Sequence, residues 1–139
     1  MGRPLLLVLM LLAAAGCADT APSVSTDSGT ELTITVTEAE GSAPSEWTLT
    51  CGSEPGGNHP DPAAACAALQ AAVDGGDDPF APLATDAVCT EIYGGSATAT
   101  ITGTWDGEDV DATYSRTNGC EIARWDRHAF LFPVRPGGP

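Results

Sequence analysis

Five cysteines are the most reactive side chains in this 139-residue sequence: Cys17, Cys51, Cys66, Cys89 and Cys120. The last four share one stretch of alternating apolar patterns, and an exported chain joins such a set into two disulfides, by any of three pairings. Metal ligation is the rival chemistry. No two of these thiols have the short separation of a zinc site, and His59 and His128 are the only histidines. An enzyme is hard to build from what remains, since the chain has no Gly-x-Ser-x-Gly elbow and no glycine-rich phosphate loop before a helix. His59 stands in the turn cluster Gly56-Gly57-Asn58-His59-Pro60, where a structural hydrogen-bonding role is expected. The acidic runs Asp106 to Asp111 and Asp74 to Asp78 lack the ligand spacing of a calcium loop and read as a hairpin tip and a helix terminator. Neither a metal nor a cofactor is expected.

Charge removes further classes. Nineteen Asp and Glu oppose five basic residues, all Arg, for a formal charge of -14. Phosphate binding needs a basic patch, so nucleic acid is not an expected partner, and an anionic membrane is not held by surface charge.

The fifth cysteine belongs to the chain start. Arg3 precedes an aliphatic run over residues 5–12 and the small residues Ala13-Ala14-Ala15-Gly16, the layout of a signal segment too short to span a bilayer. Ala15-Gly16-Cys17 resembles the bacterial lipobox, in which the cysteine becomes the lipidated first residue. Ordinary cleavage among the alanines is the alternative, but it leaves Cys17 without a chemical role. Residues 1–16 are therefore expected to be a lipoprotein-type signal peptide, with membrane contact only through the anchor at Cys17. Residues 17–30, poor in large apolar side chains, read as a flexible tether, and residues 133–139, rich in Pro and Gly, as a disordered tail.

Between them, residues 31–132 must supply the elements. Leu32, Ile34 and Val36 alternate with threonines, and Trp47, Leu49 and Cys51 repeat that period of two, so two strands open the domain. Asp61-Pro62 starts a helix through about Val73. Ala97 to Trp105 and Val110 to Tyr114 form a hairpin about Asp106-Gly107, and Ala129 to Phe132 reads as a short closing strand. The order is that of an α+β domain, an antiparallel sheet with a helix on one face.

One segment fits none of these elements. Val88-Cys89-Thr90-Glu91-Ile92-Tyr93-Gly94-Gly95 sets a carboxylate beside a large aliphatic residue just after a cysteine. Cys51 with Gly56-Gly57-Asn58-His59-Pro60 and Cys66, then Cys89-Thr90-Glu91-Ile92-Tyr93, Trp105-Asp106-Gly107, Tyr114, Asn118-Gly119-Cys120-Glu121 and Phe130-Leu131-Phe132, resembles the Streptomyces subtilisin inhibitor family. The resemblance covers residues 31–132. It implies an extracellular serine protease inhibitor, not an enzyme, with a two-layer fold: a five-stranded antiparallel sheet with short helices on one face. The pairings it implies are Cys51 with Cys66 and Cys89 with Cys120. Its exposed reactive bond maps onto Glu91-Ile92.

Such an inhibitor presents its loop to the protease as an added strand. A loop held rigid beforehand loses little entropy on binding. By the resemblance, Val88 and Thr90 contact the protease upstream of the bond and Tyr93 beyond it, while the Asn118 side chain supports the loop backbone from beneath. The chain departs from the family at Glu91, where Met, Lys or Arg is usual, and at Thr90, commonly Pro. A glutamyl-specific serine protease, or a subtilisin-like one that tolerates Glu, is the expected target. Family members commonly pair through their sheets, which adds a second copy as an expected partner. The alternative is a non-inhibitory extracellular binding or adhesion lipoprotein on the same scaffold.

Overall fold

The computed structural model describes Gly16 and residues 29–133. Cys17 and most of the expected signal segment, tether and tail lie outside the described residues. No helix among the described residues is long and apolar enough to cross a membrane.

Four strands form one antiparallel sheet: β1 (Thr30–Thr37), β2 (Ser45–Cys51), β3 (Thr98–Trp105) and β4 (Glu108–Tyr114), in the order β2-β1-β3-β4. The alternation in β1 sets the register. Ile34 lies opposite Trp47 on one side and Ile101 on the other, so the apolar residues of neighbouring strands fall on a single face. Leu32, Ile34, Leu49 and Ile101 are fully buried there. The opposite face carries Thr33, Thr35, Thr48, Thr100, Thr102 and Thr113, with Asp109 and Asp111 at one side, none of them buried. Asp106 and Gly107 both have positive φ, 48° and 80°, as a type I′ turn requires, and this twist-matched turn joins β3 to β4.

Helix α1 (Pro62–Asp74) starts as its sequence predicts. The Asp61 carboxylate accepts from the Ala64 N–H at 3.1 Å, and Pro62 occupies the first turn. Its buried residues Ala65, Cys66 and Leu69 pack on the apolar sheet face, and Cys66 is bonded to Cys51 at the end of β2. The outer edge of β2 is paired in turn. Thr50 exchanges two backbone hydrogen bonds with Gly56, and His59 N–H donates to the Thr48 carbonyl at 3.1 Å.

His59 has the structural role its turn cluster predicts. It is buried, and its Nδ1 accepts from the Asp61 N–H at 3.1 Å. Burial lowers its pKa below 6.5, against the opposing influence of the backbone at Phe130 and Asp61. The unfolded chain therefore takes up the proton first as pH falls. The stabilisation is complete above pH 6.5 and is lost as pH drops through that value toward the folded pKa. Between about pH 7.5 and about pH 5 the thermal midpoint should fall, and fall less in His59→Asn, which keeps an acceptor for Asp61. An equal fall in both proteins would assign the effect to other groups.

Two departures from expectation concern the end of the chain. A second helix, α2 (Gly119–Arg127), follows β4, where no helix is signalled by an apolar stripe. It is capped by Asn118, whose side chain accepts from the Glu121 N–H at 2.9 Å. The second concerns the fifth strand. Ala129–Leu131 is a 3₁₀ turn, not a closing strand, so the sheet among the described residues has four strands. The reason is packing: Leu131 and Phe132 are adjacent and both buried, and a strand would send them to opposite faces. Phe132 stacks against Tyr114 and Trp125 at ring separations of 4.8 and 4.7 Å.

The same region anchors the long connection from α1 to β3. His128 Nε2 is 2.9 Å from the Asp77 carboxylate, and the Tyr114 hydroxyl donates to the Pro79 carbonyl. Burial pushes the Tyr114 phenol up to about 12. The Arg124 guanidinium lies 3.8 Å from the Tyr114 ring centroid and donates to the Thr113 carbonyl at 2.7 Å, fixing α2 to β4.

Candidate functional site

The connection leading out of these anchors runs through residues 87–97 without helix or strand. It carries all the exposed large hydrophobic residues among the described ones: Val88 is 98% exposed, Ile92 62% and Tyr93 65%. Three such side chains lie within six residues and are turned to solvent, which makes this segment the one concentration of large exposed apolar side chains among the described residues. Thr90 and Glu91 are exposed between them. Cys89, half-buried, is bonded to Cys120 in the first turn of α2. The two disulfides are thus Cys51–Cys66 and Cys89–Cys120, the pairings that the resemblance implies.

The loop is braced on both sides of Glu91-Ile92. Before it, the Gly119 N–H donates to the Thr90 carbonyl at 2.8 Å. A Cβ at Gly119 would lie 1.9 Å from Thr90 Oγ1, so any larger residue there would force the Thr90 side chain to turn away. Beyond the bond, the Gly94 N–H donates to the Arg116 carbonyl at 2.8 Å. Glu91, Ile92 and Tyr93 make no hydrogen bond to any other described residue, which leaves their backbone free for a partner. The result is a short exposed span held at its ends, able to add as a strand.

Asn118 is placed differently from expectation. Its side-chain oxygen is engaged at the start of α2, where it satisfies the Glu121 N–H, and no hydrogen bond runs from it to the loop. The loop receives its support from the neighbouring Gly119 N–H and from Arg116, so Asn118 acts one step removed, by starting the helix that presents Gly119. Arg116 and Gly119 escape sequence reading. The available signal is the Asn118-x-x-Glu121 spacing of a helix cap, which places a helix start, and its unpaired N–H groups, near Cys120.

A model described as "Subtilisin inhibitor-like" matches residues 27–118 of this sequence. The chain belongs to the subtilisin inhibitor-like family. That family comprises inhibitors and not enzymes. Among its relatives, the subtilisin inhibitor of Streptomyces violaceus is 40% identical over 75 residues, 54% of this chain and 50% of the relative's length. Subtilisin inhibitor-like protein 1 of Streptomyces cacaoi is 36% identical over 98 residues, 68% of this chain and 86% of the relative. The chain thus spans half of the first relative and most of the second. The fold is similar to that of Streptomyces caespitosus sermetstatin, solved in complex with Bacillus licheniformis subtilisin. The TM-score is 0.51 at 24% identity, covering 76% of this chain and 99% of that one. The match of the subtilisin inhibitor-like model ends before α2, yet α2 carries Cys120 and Gly119, which brace the loop.

Proposed function

We propose that this chain is an exported inhibitor of extracellular serine endopeptidases that acts through a substrate-like loop with its reactive bond at Glu91-Ile92. The observation that carries this reading is the exposed segment Val88 to Tyr93, with apolar side chains at Val88, Ile92 and Tyr93, no hydrogen bonds over Glu91 to Tyr93 among the described residues, and braces at Thr90 and Gly94. The names of the relatives above, and the subtilisin bound to the structural neighbour, support a subtilisin-like target.

The geometry suits arrest better than turnover. The protease serine would attack the Glu91 carbonyl carbon, and the bond to Ile92 would break. In an ordinary substrate the new amine then leaves. Here the Cys89–Cys120 bond and the two braces hold both new ends near one helix, so religation competes with release. Val88 and Thr90 would contact the enzyme upstream and Tyr93 downstream. Glu91 would enter the primary pocket, which selects a glutamyl-specific protease or a subtilisin-like enzyme tolerant of Glu. Titrated against subtilisin and a glutamyl-specific protease, the purified domain should inhibit at least one stoichiometrically, with a single slow cut after Glu91. Rapid degradation by both without inhibition would overturn the reading.

Two further partners belong to the same proposal. Lipidation at Cys17 would hold the inhibitor at the outer face of the cell membrane, and loss of detergent partitioning in Cys17→Ser tests it. A second copy would pair through the uncovered threonine face of the sheet, which sedimentation measures directly.

A further inference from the structure

The disulfide and the Gly119 N–H hold only the upstream side of the loop. Beyond Ile92 the chain runs through Tyr93, Gly94 and Gly95 to β3 with no covalent clamp. Arg116 grips this side at one residue in two ways. Its carbonyl accepts from the Gly94 N–H at 2.8 Å, and its own Nε donates to the Gly94 carbonyl at 3.2 Å. The guanidinium is itself fixed from the other direction. Its Nη1 is 2.8 Å from the Asp126 carboxylate, and its Cζ lies 5.7 Å from the centroid of the Trp125 ring. Asp126 and Trp125 are in α2, the helix whose first turn braces the upstream side. One helix therefore controls both ends of the span, through Cys120 and Gly119 on one side and through Arg116 on the other.

We infer that Arg116 is a positioning residue that retains the downstream product end and so sets the balance between intact and cleaved inhibitor. The inference rests on the reactive bond proposed above. In the forward step the serine oxygen bonds to the Glu91 carbonyl carbon, the C–N bond to Ile92 breaks, and the serine proton passes through the protease's general base to the Ile92 nitrogen. The cleaved chain forms when water attacks that carbon, the ester bond breaks, the serine oxygen regains its proton through the base, and Glu91 is left with a free α-carboxylate. In religation the deprotonated Ile92 amine attacks the same carbon instead, and the ester bond breaks with the proton returning to the serine oxygen. Gly94 lies two residues beyond that nitrogen. A grip on both of its backbone groups keeps the amine at high effective concentration over the acyl carbon.

The equilibrium ratio of cleaved to intact chain tests this, because it is a property of the inhibitor alone and a merely structural residue would shift the thermal midpoint without moving it. With catalytic subtilisin or a glutamyl-specific protease, whichever cuts after Glu91, Arg116→Ala should raise that ratio about tenfold and accelerate loss of inhibition. Asp126→Asn, which keeps the Arg116 side chain but removes its ion-pair partner, should raise the ratio to an intermediate value and guards against a misfolded Arg116→Ala. Added salt should move the wild-type ratio in the same direction and leave Arg116→Ala unchanged, since the Arg116–Asp126 pair is accessible to screening. Ratios equal to wild type in both variants, with wild-type inhibition intact, overturn the role of Arg116 alone. Wild-type chain that is never cut after Glu91 overturns this role together with the reactive bond.

Discussion

Glu91→Met is expected to tighten inhibition of subtilisin on the order of 100-fold. The primary pocket of a subtilisin-like enzyme with broad apolar preference would receive the Glu91 side chain away from water. An unpartnered polar group moved into such a site costs about 1–3 kcal/mol by protein substitution data, and more for a carboxylate. Methionine has similar length, no group to desolvate and the flexibility to fill an irregular pocket. A gain of about 3 kcal/mol corresponds to that hundredfold change. The same substitution should weaken inhibition of a glutamyl-specific protease, whose pocket would lose its charged partner. Inhibition constants for both proteins against both enzymes give the full comparison. An unchanged constant for subtilisin would mean that residue 91 does not enter the primary pocket.

The second large effect is expected from opening the Cys89–Cys120 bond. The crosslink closes 31 residues, for which the chain-entropy model gives about 3.7 kcal/mol. For a domain of about 100 residues that amounts to a drop in thermal midpoint of about 15–25 °C. The Cys89→Ser, Cys120→Ser double variant should still fold at low temperature, because the sheet and the Cys51–Cys66 bond are untouched. Its loop, however, would lose the covalent tie adjoining Thr90, and the chain should behave as a substrate, cut after Glu91 and released. The Cys51→Ser, Cys66→Ser variant supplies the contrast: it opens a 15-residue loop away from residues 87–97 and should lower stability while preserving stoichiometric inhibition. Equal inhibition by the intact protein and the Cys89→Ser, Cys120→Ser variant would show that the disulfide does not govern the loop.

What could be read from the amino-acid order followed from how local its cause was. The alternation of Leu32, Ile34 and Val36 with threonines, the Asp106-Gly107 turn and the Asp61-Pro62 helix start are each encoded within a few residues, and the structure contains all three. Helix α2 was not legible in the same way. Its large apolar residues are Ile122 and Trp125 alone, and it is held by Arg124 on Tyr114, a contact made across ten residues of chain that no periodicity announces. The closing strand failed for a related reason: Ala129 to Phe132 has strand-like composition, but the core takes both consecutive side chains, Leu131 and Phe132, with Phe132 against the Tyr114 and Trp125 rings. At the loop, the exposed segment and its disulfide were visible as residues. The assignment of support to Asn118 was displaced by one position, because an Asn at a helix start uses its oxygen for the cap. Arg116 was invisible, since its bonds to Gly94 depend on folding together residues 22 apart.

The strand edges have a consequence for the behaviour of the protein at high concentration. A sheet edge with unpaired N–H and C=O groups is a template on which copies of a chain can polymerise. Here the β2 edge is occupied by Gly56 and His59 of the same chain. The β4 edge carries Glu108, Asp109 and Asp111 within seven residues, so a second β4 laid against it would bring like charges together. Self-templated growth is thereby discouraged at both borders, while the span from Glu91 to Tyr93 stays open. If that span docks in a protease cleft, as proposed above, the two guarded borders let the molecule offer one strand to an enzyme without becoming a seed for fibrils of its own.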